Sequence, residues 1–355
     1  MNIKEWIPGS FPIPFFQTWN CERSATTTSS NMFDDLANAG LPPKMYSCIR
    51  NNLLLNRVGV DCIHYLFHDV ACREFIGREY PPDVLMAYDR LIPTAFKADL
   101  WRYCVLYKYG GVYLDAKLGW QEGGASGGTE QLTLRAIVNR FFESGRGGGG
   151  GGVGGGVGVG LRAGGGDVFV LERDGVGLWP PGRFGVHNAF MIVKPKNPIL
   201  LECICRIVSA AKNQLYARGG LDNDFSCGWM TRPLFVTGPG LLGDVWRGNS
   251  SLNSYALMTP CFRFFFEGDG AIGYLLHKNE EYVTLFKVYD GYHEEYRHMM
   301  SHTNCVPHYT VVWARGVVWG GVRPPTTDSS AGGSAPLRRI APLYKPTGAE
   351  PPTTA

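Results

Sequence analysis

The chain has 355 residues, of which 45% are hydrophobic and 18% are charged. That composition can bury the core of one large α/β domain or of two small ones. The formal net charge at pH 7 is +3 and the basic residues are scattered, so the charge pattern gives no indication of nucleic-acid binding.

Three features of the sequence concern the compartment. Residues 1–16 lack the charged-then-apolar order of a signal peptide, and no stretch reaches the roughly 18 apolar residues that a membrane span needs. The ten cysteines are scattered without repeated CxxC pairs, which argues against a structural zinc site and suits reduced, buried thiols. We therefore expect a soluble protein, in the cytoplasm rather than in a secretory compartment.

The first hundred residues alternate between predicted strands and helices. Strands are predicted over Pro12 to Trp19 and Cys62 to Phe67. Helices are predicted over Met45 to Leu55, Val70 to Gly77 and Asp83 to Leu91. This order is typical of α/β layering.

The stretch from Phe96 to Lys117 is the most informative part of the chain. Its first part repeats apolar residues at helical spacing, which predicts a helix. Gly110 and Gly111 then predict the end of that helix, because glycine readily adopts a left-handed cap. The apolar run Val112-Tyr113-Leu114 predicts a short strand directly afterwards.

A carboxylate stands where this predicted strand ends, at Asp115. Ligands of α/β proteins collect outside the carboxyl ends of such strands. Asp99 and Arg102 lie three residues apart, so they share one face of the preceding helix and can be turned toward the same place. A plain scaffold with a surface ion pair also fits this spacing.

Glycine fills most of Gly145 to Gly166, which predicts a flexible surface insertion. No GK[ST] follows the run, so a phosphate-binding loop is not indicated. The last residues, 321–355, are rich in Pro, Thr, Ser and Gly and predict a disordered tail. Residues 1–320 are then expected to form a single domain around the insertion.

Further strands and helices are predicted after the insertion. The strands span Asp167 to Leu171 and Val186 to Ile192, and Asn197 is placed to cap a helix from Pro198 to Asn213. Phe235 to Gly240 predicts the end of another strand and the start of a helix. The N-terminal amides of that helix could face an anion.

The stretch Phe96 to Lys117 resembles glycosyltransferase family 32, a family of DXD-motif sugar transferases. That family includes the fungal outer-chain α-1,6-mannosyltransferases and the mannosyl inositol-phosphorylceramide synthases. Its hallmark helix, turn and strand correspond here to Asp99-Leu100-Trp101-Arg102-Tyr103, Leu106-Tyr107-Lys108-Tyr109-Gly110-Gly111 and Tyr113-Leu114-Asp115. Lys117 stands where the family has the second aspartate of the motif.

The resemblance implies a GT-A-type nucleotide-diphosphosugar transferase fold, an α/β fold with a mixed, mainly parallel sheet flanked by helices. It implies transfer of a hexose of the mannose or galactose class from a GDP or UDP sugar. The acceptor would be a glycan or a glycolipid, and the anomeric configuration would be retained.

The resemblance also implies roles for individual residues. Asp115 and Asn188 are the expected catalytic residues, and Asp115 with His308 would hold a divalent metal, with Mn²⁺ the expected ion. The expected donor-binding residues are Gln17, Thr18, Asp99, Arg102, Lys117, Thr237, Gly238 and Pro239.

Lys117 leaves two possibilities open. A lysine beside a metal site repels the cation, and we expect its flexible side chain to swing aside toward solvent while a weakened metal site persists. The alternative is that its ammonium pairs with the donor diphosphate and does part of the work of the metal.

Other sites and other classes of protein also stay open. Asp222-Asn223-Asp224 and Glu267-Gly268-Asp269 are further candidates for the metal site. A non-catalytic nucleotide-sugar or glycan-binding protein is one alternative, because Lys117 alters the motif. A glycoside hydrolase is another, but it needs two facing carboxylates, and the sequence does not point to such a pair.

Overall fold

A computed structural model describes residues 2–28, 33–120, 133–139, 142, 167–172, 184–215, 232–248, 262–267, 271–278, 281–302 and 318–320 of the protein. Five features predicted from the sequence lie wholly or partly outside the described residues. They are the glycine-rich insertion at 145–166, the cluster at 222–224, the cluster at 267–269 beyond its first residue, His308 and the tail at 321–355.

Strands and helices alternate through the first part of the described chain. The strands are β1 (Ile13–Thr18), β2 (Ala25–Thr27), β3 (Cys62–Phe67), β4 (Gly111–Leu114), β5 (Leu118–Trp120), β6 (Val168–Glu172), β7 (Gly185–Val193), β8 (Phe262–Glu267), β9 (Ala271–Lys278) and β10 (Glu281–Val288). The helices are α1 (Asp34–Ala37), α2 (Pro43–Leu55), α3 (Asp69–Glu79), α4 (Pro82–Arg90), α5 (Thr94–Tyr109), α6 (Leu134–Val138), α7 (Pro198–Asn213), α8 (Pro239–Gly248) and α9 (Tyr292–His302). Of the helices that the structure describes, none is both long and apolar enough to cross a membrane.

The central sheet contains six strands in the described part of the chain, in the order β2-β3-β1-β4-β7-β6. β3, β1 and β4 run parallel to one another. β7 runs antiparallel to both β4 and β6, so β6 points the same way as the central three strands. Four of the six strands thus share one direction, which confirms the predicted mixed, mainly parallel sheet.

Helices cover both faces of this sheet. Side chains alternate between the faces of a strand, so Phe15 and Phe16 of β1 enter different hydrophobic clusters. Phe16 lies with residues of α3, α4, α5, α7 and α8, whereas Phe15 lies with residues of α1, α2 and α6. The predicted layering of helices on a sheet is confirmed.

A second, antiparallel sheet joins the first through a short turn. Within the described residues its order is β5-β10-β9-β8, and β5 follows β4 after only residues 115–117. Phe286 of β10 lies 4.7 Å, between ring centroids, from both Trp120 of β5 and Phe190 of β7. The backbone N–H of Tyr289 then donates to the carbonyl of Lys117 at 3.1 Å, which holds the start of α9 beside the carboxyl end of β4.

One predicted strand is wrong. Residues Arg232–Phe235 form a 3₁₀ helix that leads into α8, instead of the strand expected to end there. Pro233 lies inside this segment and has no N–H to donate to a sheet. Its carbonyl accepts from the N–H of Val236 at 3.2 Å, so the segment closes on itself.

The helix cap predicted at Asn197 is confirmed. Its side-chain oxygen accepts from the N–H groups of Ile199 at 2.8 Å and Leu200 at 3.1 Å. These bonds satisfy two of the N-terminal amides of α7.

The turn between α5 and β4 requires its two glycines. Gly110 has φ 66° and Gly111 has φ 105°, which are left-handed values that other residues adopt only at a cost. A Cβ on Gly111 would also collide with the carbonyl oxygen of Pro14, and one on Gly110 would lie 2.7 Å from the nitrogen of Pro195. The glycine pair therefore lets β4 lie directly beside β1.

We expect Gly111→Ala to lower the free energy of unfolding by about 2–4 kcal/mol, since it combines left-handed strain with a backbone collision. Gly77→Ala is the matched control, because a Cβ there lies at an ordinary 3.4 Å from Leu85 in the interior of α3 and alanine favours a helix. Urea unfolding measures both variants. Equal stability of the two would contradict the steric account of the turn.

Candidate active site

Arg102 links the two carboxylates that the sequence predicted to meet. On α5, its Nη2 lies 3.2 Å from Asp99 Oδ1, and its Nη1 lies 3.3 Å from Asp115 Oδ1 at the end of β4. Nη1 also donates to the backbone carbonyl of Asn188 at 2.9 Å. The guanidinium carbon lies 4.4 Å from the ring centroid of Tyr113, a favourable cation–π contact. The predicted meeting of these residues is therefore present.

Asp99 is occupied by partners within the protein. Its Oδ1 accepts from Asn188 Nδ2 at 2.9 Å and its Oδ2 accepts from the hydroxyl of Thr237 at 2.8 Å. Burial raises the pKa of Asp99 above its ordinary value, although Arg102 and both hydrogen bonds oppose that rise. Asp99 therefore joins α5, β7 and the segment before α8.

Tyr103 and Gly238 close the same network. The hydroxyl of Tyr103 donates to the carbonyl of Thr237 at 2.8 Å and accepts from Asn188 Nδ2 at 3.0 Å. A Cβ on Gly238 would lie 3.5 Å from Asp99 Oδ2 and 3.2 Å from the carbonyl of Leu234. Pro239 follows as the first residue of α8. The helix N-terminus predicted from the sequence thus lies beside Asp99.

Asp115 differs from Asp99 because it faces two cations instead of one; its side chain is 18% exposed and that of Asp99 is 12% exposed. Besides Arg102, its Oδ1 accepts from the hydroxyl of Tyr113 at 2.8 Å, and its Oδ2 lies 3.3 Å from Lys117 Nζ. Burial alone would raise the pKa of Asp115, but the charges of Arg102 and Lys117 and the Tyr113 hydrogen bond together lower it. Asp115 is therefore ionised at neutral pH.

Lys117 is turned inward, not toward solvent as expected. Its ammonium forms the ion pair with Asp115, and the side chain is 28% exposed. Burial opposes the charge, but Asp115 and Tyr292 raise the pKa of Lys117 above its ordinary value. The ring of Tyr292 lies 6.4 Å from that of Trp19, so the start of α9 borders the site.

Two predicted donor-binding residues lie inside the sheet. Gln17 is fully buried; its Nε2 donates to the carbonyl of Leu114 at 3.1 Å and its Oε1 accepts from His64 Nε2 at 3.0 Å. The hydroxyl of Thr18 donates to the carbonyl of Phe67 at 2.9 Å. In this structure both side chains join neighbouring strands at the edge that carries Asp115, and their roles in donor binding stay predictions.

Several site residues were not predicted from the sequence. Tyr113 lies two residues before Asp115, a spacing that places both side chains on one side of a strand, and Tyr103 lies one helical turn after Asp99. Those spacings could have indicated both. His64 and Tyr292 reach the site region from distant segments, and no local signal marks them.

The described residues do not form a metal site. They contain no group of three or more His, Cys, Asp and Glu side chains that could hold an ion. Both oxygens of Asp115 already face cationic partners, Arg102 and Lys117, and such a carboxylate is a poor ligand for a divalent ion. The other expected ligand, His308, lies outside the described residues, as do the acidic cluster at 222–224 and residue 269.

A cleft of about 750 Å³ lies between α9, the start of α2 and the segment that follows Trp19. On one side it is bounded by α9, whose Glu295 accepts from the N–H groups of Lys44 at 2.8 Å and Met45 at 3.3 Å. Glu295 therefore caps α2 from a distant helix. The residues that line the cleft are Asn20, Cys21, Glu22, Gly40, Leu41, Pro42, Pro43, Lys44, Glu294, Glu295, His298 and Met299.

Comparison with known proteins bears on the same segment. Residues 44–120 match the family described as "Glycosyltransferase sugar-binding region containing DXD motif". "Inositol phosphoceramide mannosyltransferase 3" of Schizosaccharomyces pombe is 44% identical over 59 residues, which are 17% of this chain and 16% of that protein. Among solved structures, "PaToxG Glycosyltransferase" aligns with 68% of this chain and 72% of its own, at 13% identity and a TM-score of 0.35. The family match confirms the predicted resemblance over the segment that carries Asp99, Arg102 and Asp115.

We expect Arg102→Met to lower the free energy of unfolding by about 3–5 kcal/mol, because it leaves Asp99 in the interior without a cation and removes one of the two cations that face Asp115. Arg73→Met is the matched control, since Arg73 pairs with Asp89 through two 2.7 Å bonds on the surface, where such pairs contribute little. Denaturant unfolding of both variants is the measurement. A small loss for Arg102→Met would show that the buried pairs do not hold the site together.

We also expect stability to fall on acidification between pH ~6.5 and ~3, in part through His64. Burial lowers the pKa of His64 to about 3, so in this window the unfolded chain binds a proton that the folded chain does not. The free energy of unfolding is unaffected by the titration of His64 above pH ~6.5, and it decreases by about 1.4 kcal/mol per pH unit below that value because of this residue. Unfolding titrations of His64→Gln should show a slope shallower by that amount; an unchanged slope would contradict a buried neutral histidine.

Proposed function

We propose that this chain is a GT-A-type glycosyltransferase that transfers a hexose of the mannose or galactose class from a GDP or UDP sugar. The proposed acceptor is a glycan or a glycolipid, and the anomeric configuration is retained. The observation that carries the proposal is the joining of Asp99, Arg102 and Asp115 at the carboxyl end of β4. All three lie in the segment that matches a sugar-binding region.

Asp115 is the residue that we assign to contact the donor. A carboxylate has about four acceptor positions, and three are directed at Arg102, Tyr113 and Lys117. The remaining position can accept from a hydroxyl of the sugar or ribose. Because the low pKa keeps Asp115 ionised, this hydrogen bond would be charge-assisted and strong.

Asn188 and Asp99 are better assigned as positioning residues. The amide of Asn188 donates to Asp99 and Tyr103, and Asp99 has partners on both oxygens. These contacts fix Arg102, which in turn fixes Asp115. Asn188 was expected to be catalytic from the sequence, but its amide nitrogen is already engaged inside the fold.

The transfer reaction requires groups that stabilise negative charge on the leaving diphosphate. The bond between the anomeric carbon and the diphosphate oxygen breaks as the acceptor hydroxyl bonds to that carbon, and the hydroxyl proton passes to an oxygen of the departing diphosphate. Negative charge therefore develops on the diphosphate before the proton arrives. Groups that already stand where this charge develops lower the barrier. Lys117 and the N-terminus of α8 are the candidates among the described residues.

A divalent metal commonly serves this purpose in DXD-motif transferases, and Mn²⁺ is the ion expected from the sequence. It would stabilise the leaving diphosphate when bound. Since the described side chains do not supply a fitting set of ligands, we assign no part of the reaction to it.

The cleft beside α9 is our proposed route for the acceptor. Its lining residues Asn20 and Glu294 follow Trp19 and Tyr292 closely in the chain. The rings of Trp19 and Tyr292 lie 6.4 Å apart, and Tyr292 raises the pKa of Lys117. Among its charged side chains, three carboxylates outnumber one ammonium: Glu22, Glu294, Glu295 and Lys44. That balance favours a neutral, hydroxyl-rich acceptor over an anionic headgroup.

The alternative function is that of a non-catalytic nucleotide-sugar or glycan-binding protein. The decisive experiment incubates the protein with GDP- and UDP-hexoses, with neutral glycans and with anionic glycolipids, and follows release of free nucleotide. Release with at least one donor supports the transferase. Nucleotide binding without release from any donor favours the non-catalytic protein, and the absence of both contradicts the proposal.

We expect Asp115→Asn to reduce turnover by at least about 100-fold, because the charge that contacts the donor is lost. Asp89→Asn is the matched control, since Asp89 lies on the surface and pairs with Arg73 at 2.7 Å. Thermal melting shows whether each variant is folded. Full turnover by folded Asp115→Asn would remove this residue from the site.

A further inference from the structure

The matched family is described by a DXD motif, yet the matched residues contain no such pair. Between residues 44 and 120 the aspartates stand at 61, 69, 83, 89, 99 and 115, and no two of them are two apart. The strand end carries Asp115-Ala116-Lys117 instead. A lysine in place of an aspartate changes the charge at that position by two units.

This change equals the charge of one divalent ion. Two aspartates and a divalent cation together have no net charge, and neither do Asp115 and Lys117 alone. A donor diphosphate that enters this site therefore meets the same local charge in both cases. Lys117 supplies the positive charge as part of the chain, whereas a motif with two aspartates obtains it from a divalent ion in solution.

The ammonium of Lys117 is also held in a defined place. Its Nζ lies 3.3 Å from Asp115 Oδ2, and Arg102 and Tyr113 hold the other oxygen of that carboxylate. The backbone of Lys117 is fixed by the N–H of Tyr289 at 3.1 Å. An ammonium has three N–H donors, so the bond to Asp115 leaves two for phosphate oxygens.

We propose that Lys117, positioned by Asp115, neutralises the diphosphate of the nucleotide sugar, so that this protein binds its donor without a divalent metal. The inference rests on the proposed function, because it assumes a nucleotide-diphosphate ligand. In this proposal Asp115 also orients the ammonium of Lys117. It also explains why the described residues offer no set of metal ligands at the end of β4.

The first test measures the affinity of the full chain for GDP and UDP by calorimetry, in excess EDTA and in excess Mn²⁺. We expect dissociation constants that agree within about threefold for the nucleotide that binds. Binding that appears only with Mn²⁺ overturns this inference and leaves the proposed function intact. No binding of either nucleotide in either buffer contradicts the proposed function itself.

The second test removes the positive charge of Lys117 and asks whether Mn²⁺ can replace it. Lys117→Met should weaken binding in EDTA by at least about tenfold, which is 1.4 kcal/mol. Lys117→Asp restores the Asp-x-Asp pair and should bind weakly in EDTA but regain affinity with Mn²⁺. Lys108→Met is the control, since Lys108 pairs with Glu79 at 2.9 Å away from the site, and its affinity should equal that of the unaltered protein.

Lys117→Arg guards against an effect of folding alone. It keeps the positive charge, so metal-independent binding should survive, and thermal melting checks that each variant is folded. Loss of binding in Lys117→Met together with retention in Lys117→Arg supports a phosphate-binding cation. Equal affinity of Lys117→Met and the unaltered protein in EDTA would overturn the inference without any assay of turnover.

Discussion

The guanidinium of Arg102 lies in the interior between the carboxylates of Asp99 and Asp115, at 3.2 and 3.3 Å. A carboxylate that is buried without a partner is costly, and it usually takes up a proton instead. Arg102 allows both acids to stay inside, and it donates to the carbonyl of Asn188 as well. The stability of the domain and the arrangement of its site therefore depend on the same cation.

Beyond Arg102, Asp99 and Asp115 have different partners: Asp99 joins elements of the fold, and Asp115 holds Lys117. Asp99 binds side chains that lie 89 and 138 residues later in the chain, those of Asn188 and Thr237. It thereby joins β7 and the start of α8 to α5. Asp115 keeps an exposed edge and holds Lys117. Such a separation suits a binding site, because the group that meets a ligand is supported by groups that do not move with it.

Local signals in the sequence predicted many of the helices and strands of the central sheet but not the contacts between them, and the strand expected before α8 is a 3₁₀ helix. The glycine pair and Asn197 act on their immediate neighbours, so the helix ends they mark could be predicted. Gln17 was expected to bind the donor, which stays a prediction, but no local signal indicated its hydrogen bond to His64 on the next strand of the sheet. Lys117 was expected to face solvent because lysine is flexible, but attraction to Asp115 in a partly buried site outweighs that freedom.

The cap on α2 has a consequence for how the chain is made. The backbone N–H groups of Lys44 and Met45, in the first turn of α2, donate to Glu295, which lies 251 and 250 residues later in the chain. During synthesis, which proceeds from the N-terminus, α2 leaves the ribosome long before that carboxylate exists. The segment that matches the sugar-binding family is thus translated early, but the cap of its first helix forms only after α9 has been synthesised.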